Sequence, residues 1–294
     1  MRNEREPLAI DVQGALQILE RDLHESSWDI RKPTAGNHDA FVARHGEHEV
    51  FLKFDVNAAV LNRLAALNIT PAVLGSGNAN DRSYAIQEYV EGSHPDREWF
   101  SQHLPDLARF IKTYHTDEEL RGLLLPPEPT SYTDHIQQSV DRLKRGMHRA
   151  HTAPLRSTQA IEGFHRLANQ AGTLPHTPLV PTHADPNNKN FLLVGNRFYL
   201  LDWDESSLSD PLRDTGLLLW WYVPQERWSE FFTAYGTEMN NAIRNKVYWW
   251  SAFASLGVAQ WLDEHTQNES GVHEFLHDFY AALNGQENPH AQAE

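Results

Sequence analysis

The feature that most constrains this chain is a change of hydrophobic period at Glu91-Gly92-Ser93. Before it, apolar residues come in short runs separated by turn residues; after it, they recur at helical spacing over long stretches. A short alternating run suits one face of a sheet, and a period near 3.6 suits one face of a helix. The expectation is an α+β chain of two lobes: 1–91 with a small antiparallel sheet, and 92–294 larger and mainly helical. With 294 residues there is chain enough for both.

In the first lobe an amphipathic helix is expected over 8–23, where Leu8, Ile10, Val12, Leu16, Leu19 and Leu23 share a face. Strands follow over 28–31, 40–44 and 49–54, a helix over 57–67, then strands 73–74 and 84–90 around the polar turn SGNANDRS. Beyond Gly92 the helical stretches are 98–115, 132–148, 157–171, 213–222, 225–235, 241–264 and 271–283.

Charge and composition narrow the partners. There are 25 basic and 40 acidic residues, a net charge of −15, which disfavours nucleic acid and raises the local concentration of cations, or simply keeps the chain soluble. No apolar run approaches the ~18 residues of a membrane span. The N-terminus MRNEREPLAIDVQ has no signal-like stretch. The absence of cysteine rules out disulfides and thiolate zinc sites, in keeping with a cytoplasmic setting.

One segment interrupts the helical half. In THADPNNKNFLLVGNRFYLLDWDE, residues 182–205, the runs 191–194 and 197–201 are separated by Gly195-Asn196, a two-residue hairpin connection. Val194 then faces Arg197, Asn190 faces Leu201, and an amide and a carboxylate, Asn190 and Asp202, meet at the open end. Hard oxygen ligands so placed suit Mg²⁺, which bridges protein carboxylates to substrate phosphates. Asp185 and His183 stand just upstream. A base near a hydroxyl, a metal on phosphates and positive charge are what phosphoryl transfer asks of a protein. Asp and Asn are also ordinary turn formers; the ordered set Asp185, Asn190, Asp202 is what singles this segment out.

H-x-D-x-x-x-x-N followed by a hairpin and L-D-x-D resembles the catalytic and metal segments of the aminoglycoside phosphotransferase and choline kinase-like family, which has a protein-kinase-like fold. The resemblance implies that Asp185 accepts or orients the substrate hydroxyl proton and that Asn190 and Asp202 hold Mg²⁺. His183, Asp204 and Asp214 would support them, Asp214 by bracing the catalytic loop from Ser209-Asp210-Pro211-Leu212-Arg213-Asp214. Lys53, which interrupts the apolar strand HEVFLKF, would meet the ATP phosphates. In AIQEYVEG the backbone of Glu88 and Val90 would pair with adenine. ATP and Mg²⁺ are thus the implied cofactors. The chain departs from the family in two places. No Glu lies between Glu49 and Glu88 to hold Lys53, leaving Asp55, Asn57 or the nucleotide; and the phosphate loop, near 34–39, has one glycine.

The acceptor is less constrained. Aromatics such as Trp221 could hold a quaternary ammonium by cation–π attraction, while Glu226, Glu230, Asp263 and Glu264 would suit a polyamine sugar; each could equally be core or solvated surface. HEFLH at 273–277 spells a zinc-peptidase helix motif but lacks a convincing third ligand. The function expected is ATP-dependent phosphorylation of a hydroxyl on a small, cationic molecule. The alternative is a kinase-fold ligand-binding protein with little transferase activity.

Overall fold

The computed structural model describes residues 11–33, 39–128 and 130–289. Its elements in chain order begin with α1 (Val12–Leu23), β1 (Asp29–Arg31), β2 (Ala40–His45), β3 (His48–Phe54), α2 (Ala58–Ala66), β4 (Val73–Ala79) and β5 (Arg82–Glu88). Helices α3 (Arg97–Gln102), α4 (Leu104–His115), α5 (Glu118–Leu123), α6 (Tyr132–Arg149) and α7 (Thr158–Ala171) follow. Then come the short strands β6 (Val180–Thr182), β7 (Phe191–Val194), β8 (Arg197–Leu200) and β9 (Ser207–Ser209). The chain closes with α8 (Leu212–Tyr222), α9 (Trp228–Tyr235), α10 (Asn241–His265) and α11 (Glu269–Leu283).

These elements fall into two compact units, one reaching to His94 and including Lys189–Asp204, the other made of Pro95–Asn188 and the chain from Glu205. The expected division at 91/92 is linear, whereas residues 92–94 and 189–204 both fall with the first unit. The hairpin β7–β8 packs with the sheet-rich unit, held by an antiparallel bridge between Ser93 and Leu193 and by Leu200 N–H donating to Ile69 O at 2.8 Å.

The first unit is an antiparallel sheet in the order β1-β2-β3-β5-β4. Alternation places Phe41, Ala43, Val50, Leu52, Phe54, Tyr84 and Ile86 in one apolar cluster with Ala15, Ile18 and Leu19 of α1. Asp11 caps α1, its side chain accepting from Gly14 N–H, and the described helix starts at Val12; positions 8–10 of the expected helix lie outside the described residues. The expected turn SGNANDRS is mostly strand: β4 runs to Ala79, and only Asn80 and Asp81, both at positive φ, make the turn. Small polar residues are tolerated there because each second residue of β4 faces solvent.

The second unit is mainly helical. The single helix expected over 98–115 is two, α3 and α4, broken at His103, with Pro105 in the first turn of α4, where its missing N–H costs nothing. The sequence also conceals α5 and the two-stranded pairing of β6 with β9, three residues each, too short to show a period. The tryptophans Trp220, Trp228, Trp249 and Trp250 are buried in this unit.

Candidate functional site

The hairpin has the register that its sequence implies. Val194 pairs with Arg197, Phe191 with Leu200, and Leu201 N–H donates to Asn190 O at 2.8 Å. Gly195 supplies a positive φ at the turn. Asp202 too lies at positive φ, 64°, a conformation uncommon for a residue with a Cβ and a mark of local constraint. It ends the strand and turns the following residues back towards β3.

There the chain solves the problem of Lys53. Lys53 sits near the C-terminal end of β3, opposite Ala40 on one side and Ala85 on the other, and is buried. A lysine ammonium out of water requires anionic partners. It finds two: Nζ donates to Asp202 Oδ1 at 2.7 Å and to Asp204 at 2.8 Å. The partners expected from sequence are occupied otherwise. Asp55 accepts from Arg82, whose guanidinium also reaches Asp39, and Asn57 caps α2 by accepting from Val60 N–H. Hydrogen bonds donated to Asp55, the largest influence, and to Asp39 hold the Arg82 guanidinium above the ordinary arginine range against the opposing effect of burial. Nothing in the sequence marks this second buried cation, since Arg82 stands in a segment that reads as turn.

The remaining nucleotide-side expectations are placed as follows. Glu88 N–H donates to Ala72 O, and its residue lines a cavity of the first unit with Trp28, His48 and Leu74, of which Lys53 is not part. Val90 follows just beyond β5 and is partly buried. The expected phosphate loop at 34–38 lies outside the described residues; Asp39 at its end binds Lys32 and Arg82.

The second unit carries Asp185 on a braced loop. Asp214, wholly buried on α8, accepts from His183 N–H at 2.8 Å, Ala184 N–H at 2.7 Å, Tyr114 Oη–H at 3.0 Å and His115 Nε2 at 3.2 Å. Burial alone would raise this carboxyl; the hydrogen bonds, His115 foremost, bring it below the usual carboxylate range. The two main-chain bonds fix Ala184 at φ 75°, strained for a non-glycine residue, immediately before Asp185. Asp185 Oδ2 accepts from Asn187 Nδ2 at 3.0 Å, and Asp185 N–H donates to His183 Nδ1 at 3.2 Å. Asn188 N–H donates to Tyr222 Oη at 3.1 Å, tying the far end of the loop to α8.

Asp210, the first acid of the same motif, is buried against Lys246 of α10 and accepts from Tyr132 Oη–H and Thr177 Oγ1–H. Its carboxylate thereby fixes the start of α8, and with it Asp214, against α6 and α10.

Beside Asp185 opens a cavity of ≈ 710 Å³ within this unit, walled by α8, α10 and α11. Trp221, Tyr222, Trp250, Phe253, Trp261 and Phe275 line it, with Asp185, Glu205, Asp278, Arg97, Arg142 and Arg213 as charged groups. Of the expected acceptor-binding residues only Trp221 is in this wall. Asp263 is buried and accepts from His151 and Thr152 N–H at 2.8 and 2.6 Å, fixing the chain after α6. Glu264 pairs with Arg149 on the surface, Glu230 with Arg227, and Glu226 lines a separate small cavity with Arg244. Their acidity carried no positional information, because the 40 acidic residues are spread along the whole chain. Tyr222 and Trp250 stand in the runs Trp220-Trp221-Tyr222 and Trp249-Trp250, where consecutive aromatics on a helix cannot all face one way, so the sequence alone does not pick them out.

Comparison with known proteins decides the family. A protein-family model, the phosphotransferase enzyme family, matches residues 19–247, more than three quarters of the chain. The chain belongs to that family. The structure is similar to that of a choline/ethanolamine kinase family protein from Mesorhizobium loti, with TM-score 0.61 and 22% identity, covering 85% of this chain and 86% of that one. A choline kinase from Streptococcus pneumoniae matches with TM-score 0.66 and 15% identity, over 92% and 97% of the two chains. An aminoglycoside phosphotransferase in complex with GDP and kanamycin matches with TM-score 0.67 and 12% identity, over 91% and 97%. At these identities the likeness is one of fold: α+β, protein-kinase-like, with a small antiparallel sheet and a mainly helical part. No described helix is long and apolar enough to cross a membrane.

Proposed function

We propose that this phosphotransferase is a small-molecule kinase that moves the γ-phosphate of ATP to a hydroxyl of an acceptor bound in the aromatic cavity. The observation that carries this reading is the position of Asp185: at the wall of that cavity, on a loop whose strained backbone is fixed by Asp214. A carboxylate so held can accept a hydrogen bond from an acceptor hydroxyl and keep it oriented for attack.

In the reaction, the acceptor oxygen forms a bond to the γ-phosphorus as the bond from that phosphorus to the β-bridging oxygen breaks. ADP departs with the bond's electron pair, and Asp185 takes the hydroxyl proton. Lys53 is the cation available for nucleotide phosphates. For the metal, the donor set fits: Asp202 and Asp204 already converge on one cation, the Lys53 ammonium, and the Asn190 amide is brought to the same end of the hairpin by its register. Asn190 and Asp202 would hold Mg²⁺, with Asp204 as a further oxygen donor. When bound, Mg²⁺ neutralises phosphate charge in the transferring group. The backbone of Glu88 and Val90 is the proposed adenine contact.

The cavity favours an acceptor with a cationic part, because indole faces attract ammonium groups and Asp278 stands in the same wall. Choline, aminoglycosides and amino alcohols belong to this class. A coupled ADP-release assay with Mg-ATP across such acceptors tests the proposal. Acceptor-dependent ADP release that disappears in Asp202→Ala, while the circular dichroism spectrum stays unchanged, supports it. Acceptor-independent release, or none from any acceptor, favours the ligand-binding alternative.

A further inference from the structure

We propose that the acceptor also carries an anionic oxygen group, a carboxylate or phosphate, received by the guanidinium of Arg213 with Arg142 beside it. The inference rests on the phosphotransferase reading above and names the acceptor class of that same cavity.

Arg213 is the second residue of α8, next to Asp214, and lines the cavity together with Asp185. Among the described residues its guanidinium makes no ion pair and no side-chain hydrogen bond. The acids around it are committed elsewhere. Asp214 is consumed by His183, Ala184, Tyr114 and His115; Glu205 pairs with Arg142 at 3.4 Å; Asp185 accepts from Asn187. Burial, the largest influence on Arg213, pulls its pKa below the ordinary arginine range; the positive charge of Arg142 acts in the same direction, against the opposing pull of Asp214, Glu205 and Asp185. A half-buried guanidinium that lines a cavity without a hydrogen-bonded counter-ion is a place where a ligand supplies the anion.

The geometry of the donor selects the ligand. A guanidinium presents a planar fork that matches two oxygens of a carboxylate or phosphate, whereas an ammonium would meet them as a point charge. The cavity as a whole is balanced, with three arginines against three acids, and so does not fit a purely polycationic acceptor. A hydroxyl compound whose ammonium lies on the indole faces and whose carboxylate meets Arg213 satisfies both sets of charges. The class is a hydroxyl-bearing zwitterion, such as a hydroxy amino acid or a hydroxy betaine. Transferring phosphoryl oxygens have the same chemistry and would meet a guanidinium equally well, so the experiment separates the two sources.

Isothermal titration calorimetry and steady-state transfer from Mg-ATP are compared within matched pairs: homoserine against 3-aminopropan-1-ol, and carnitine against β-methylcholine. Each pair keeps the hydroxyl and the cation and differs in the carboxylate. For the wild-type protein we expect the zwitterion of at least one pair to bind about tenfold more tightly or better, the worth of one charge-assisted pair. In Arg213→Met that preference should vanish through a raised KM, and Arg213→Lys should recover part of it. Equal or tighter binding of the amines by the wild type, or no binding of either zwitterion, overturns the proposal without needing a variant. A loss of kcat in Arg213→Met that is the same for both members of a pair also overturns it, assigning Arg213 to the phosphoryl group. Preference in calorimetry without transfer would refute the kinase reading and leave the anion site standing.

Discussion

Packed beside Arg213 and Asp210, the His135 imidazole donates or accepts one hydrogen bond, with Ser209 Oγ at 2.8 Å. Burial first, and then the charge of Arg213, push its pKa down to about 4, against the opposing pull of Asp210. The unfolded chain takes up a proton on this residue near pH 6.5, while the folded chain waits until about 4. Stability is therefore lost as pH falls through that window, by about 2 kcal/mol from this group between pH 7 and 5. The difference in urea-unfolding free energy between wild type and His135→Gln should shrink or reverse over that interval; a constant difference would show that His135 titrates alike in both states. Asp214 acts in the opposite range: its lowered carboxyl stabilises above its ordinary pKa and loses that effect only in strong acid. At this scale the ordered set Asp185, Asn190 and Asp202 is legible in the sequence, because its order and the hairpin within it are local. It could not show that Lys53 takes Asp204 as well as Asp202, about 150 positions away, nor that Asp263 serves the backbone of residues 151 and 152. Both depend on tertiary contacts that leave no spacing in the chain.

Among the elements, the hairpin β7–β8 was legible residue by residue, since a two-residue Gly-Asn turn fixes the pairing register. Its attachment was not. Gly92 read only as a break in the pattern, yet a Cβ there would stand 2.3 Å from Leu193 O and 2.9 Å from Leu192 Cγ. The glycine is what lets Ser93 bridge to Leu193 and bring the hairpin onto the sheet-rich unit. Gly92→Ala must move backbone rather than a flexible side chain and should cost roughly 1–3 kcal/mol in chemical denaturation. Gly122→Ala, where a Cβ meets nothing within 4 Å, is the control and should be neutral or slightly stabilising. Equal melting of the two variants would remove Gly92 from this role. The strand β4 was shortened in the sequence reading because Gly75, Ser76, Gly77 and Asn78 carry turn composition; pairing with β5 overrides that propensity. Helix α4 was merged with α3 because His103 breaks the helix without a proline or glycine signal at the break itself.

For the whole molecule, the change of period at Gly92 was enough to anticipate a small antiparallel sheet and a mainly helical part, and the family match over residues 19–247 agrees with that fold. The net charge of −15 pointed to a cationic acceptor, but charge summed over a surface does not say which acids face the cavity. Four of the five acceptor-binding candidates lie elsewhere, and three arginines stand in the cavity instead. The central claim, that this chain transfers a phosphoryl group with Asp185 receiving the proton, is tested most directly by single-turnover transfer from γ-labelled ATP to a productive acceptor in wild type and Asp185→Asn. The substitution keeps the size and most hydrogen bonding of Asp185 but removes the proton acceptor. The expected result is a rate lower by about 10²–10⁴-fold with nucleotide affinity unchanged; an unaltered single-turnover rate would contradict the assignment and leave Asp185 as a loop residue.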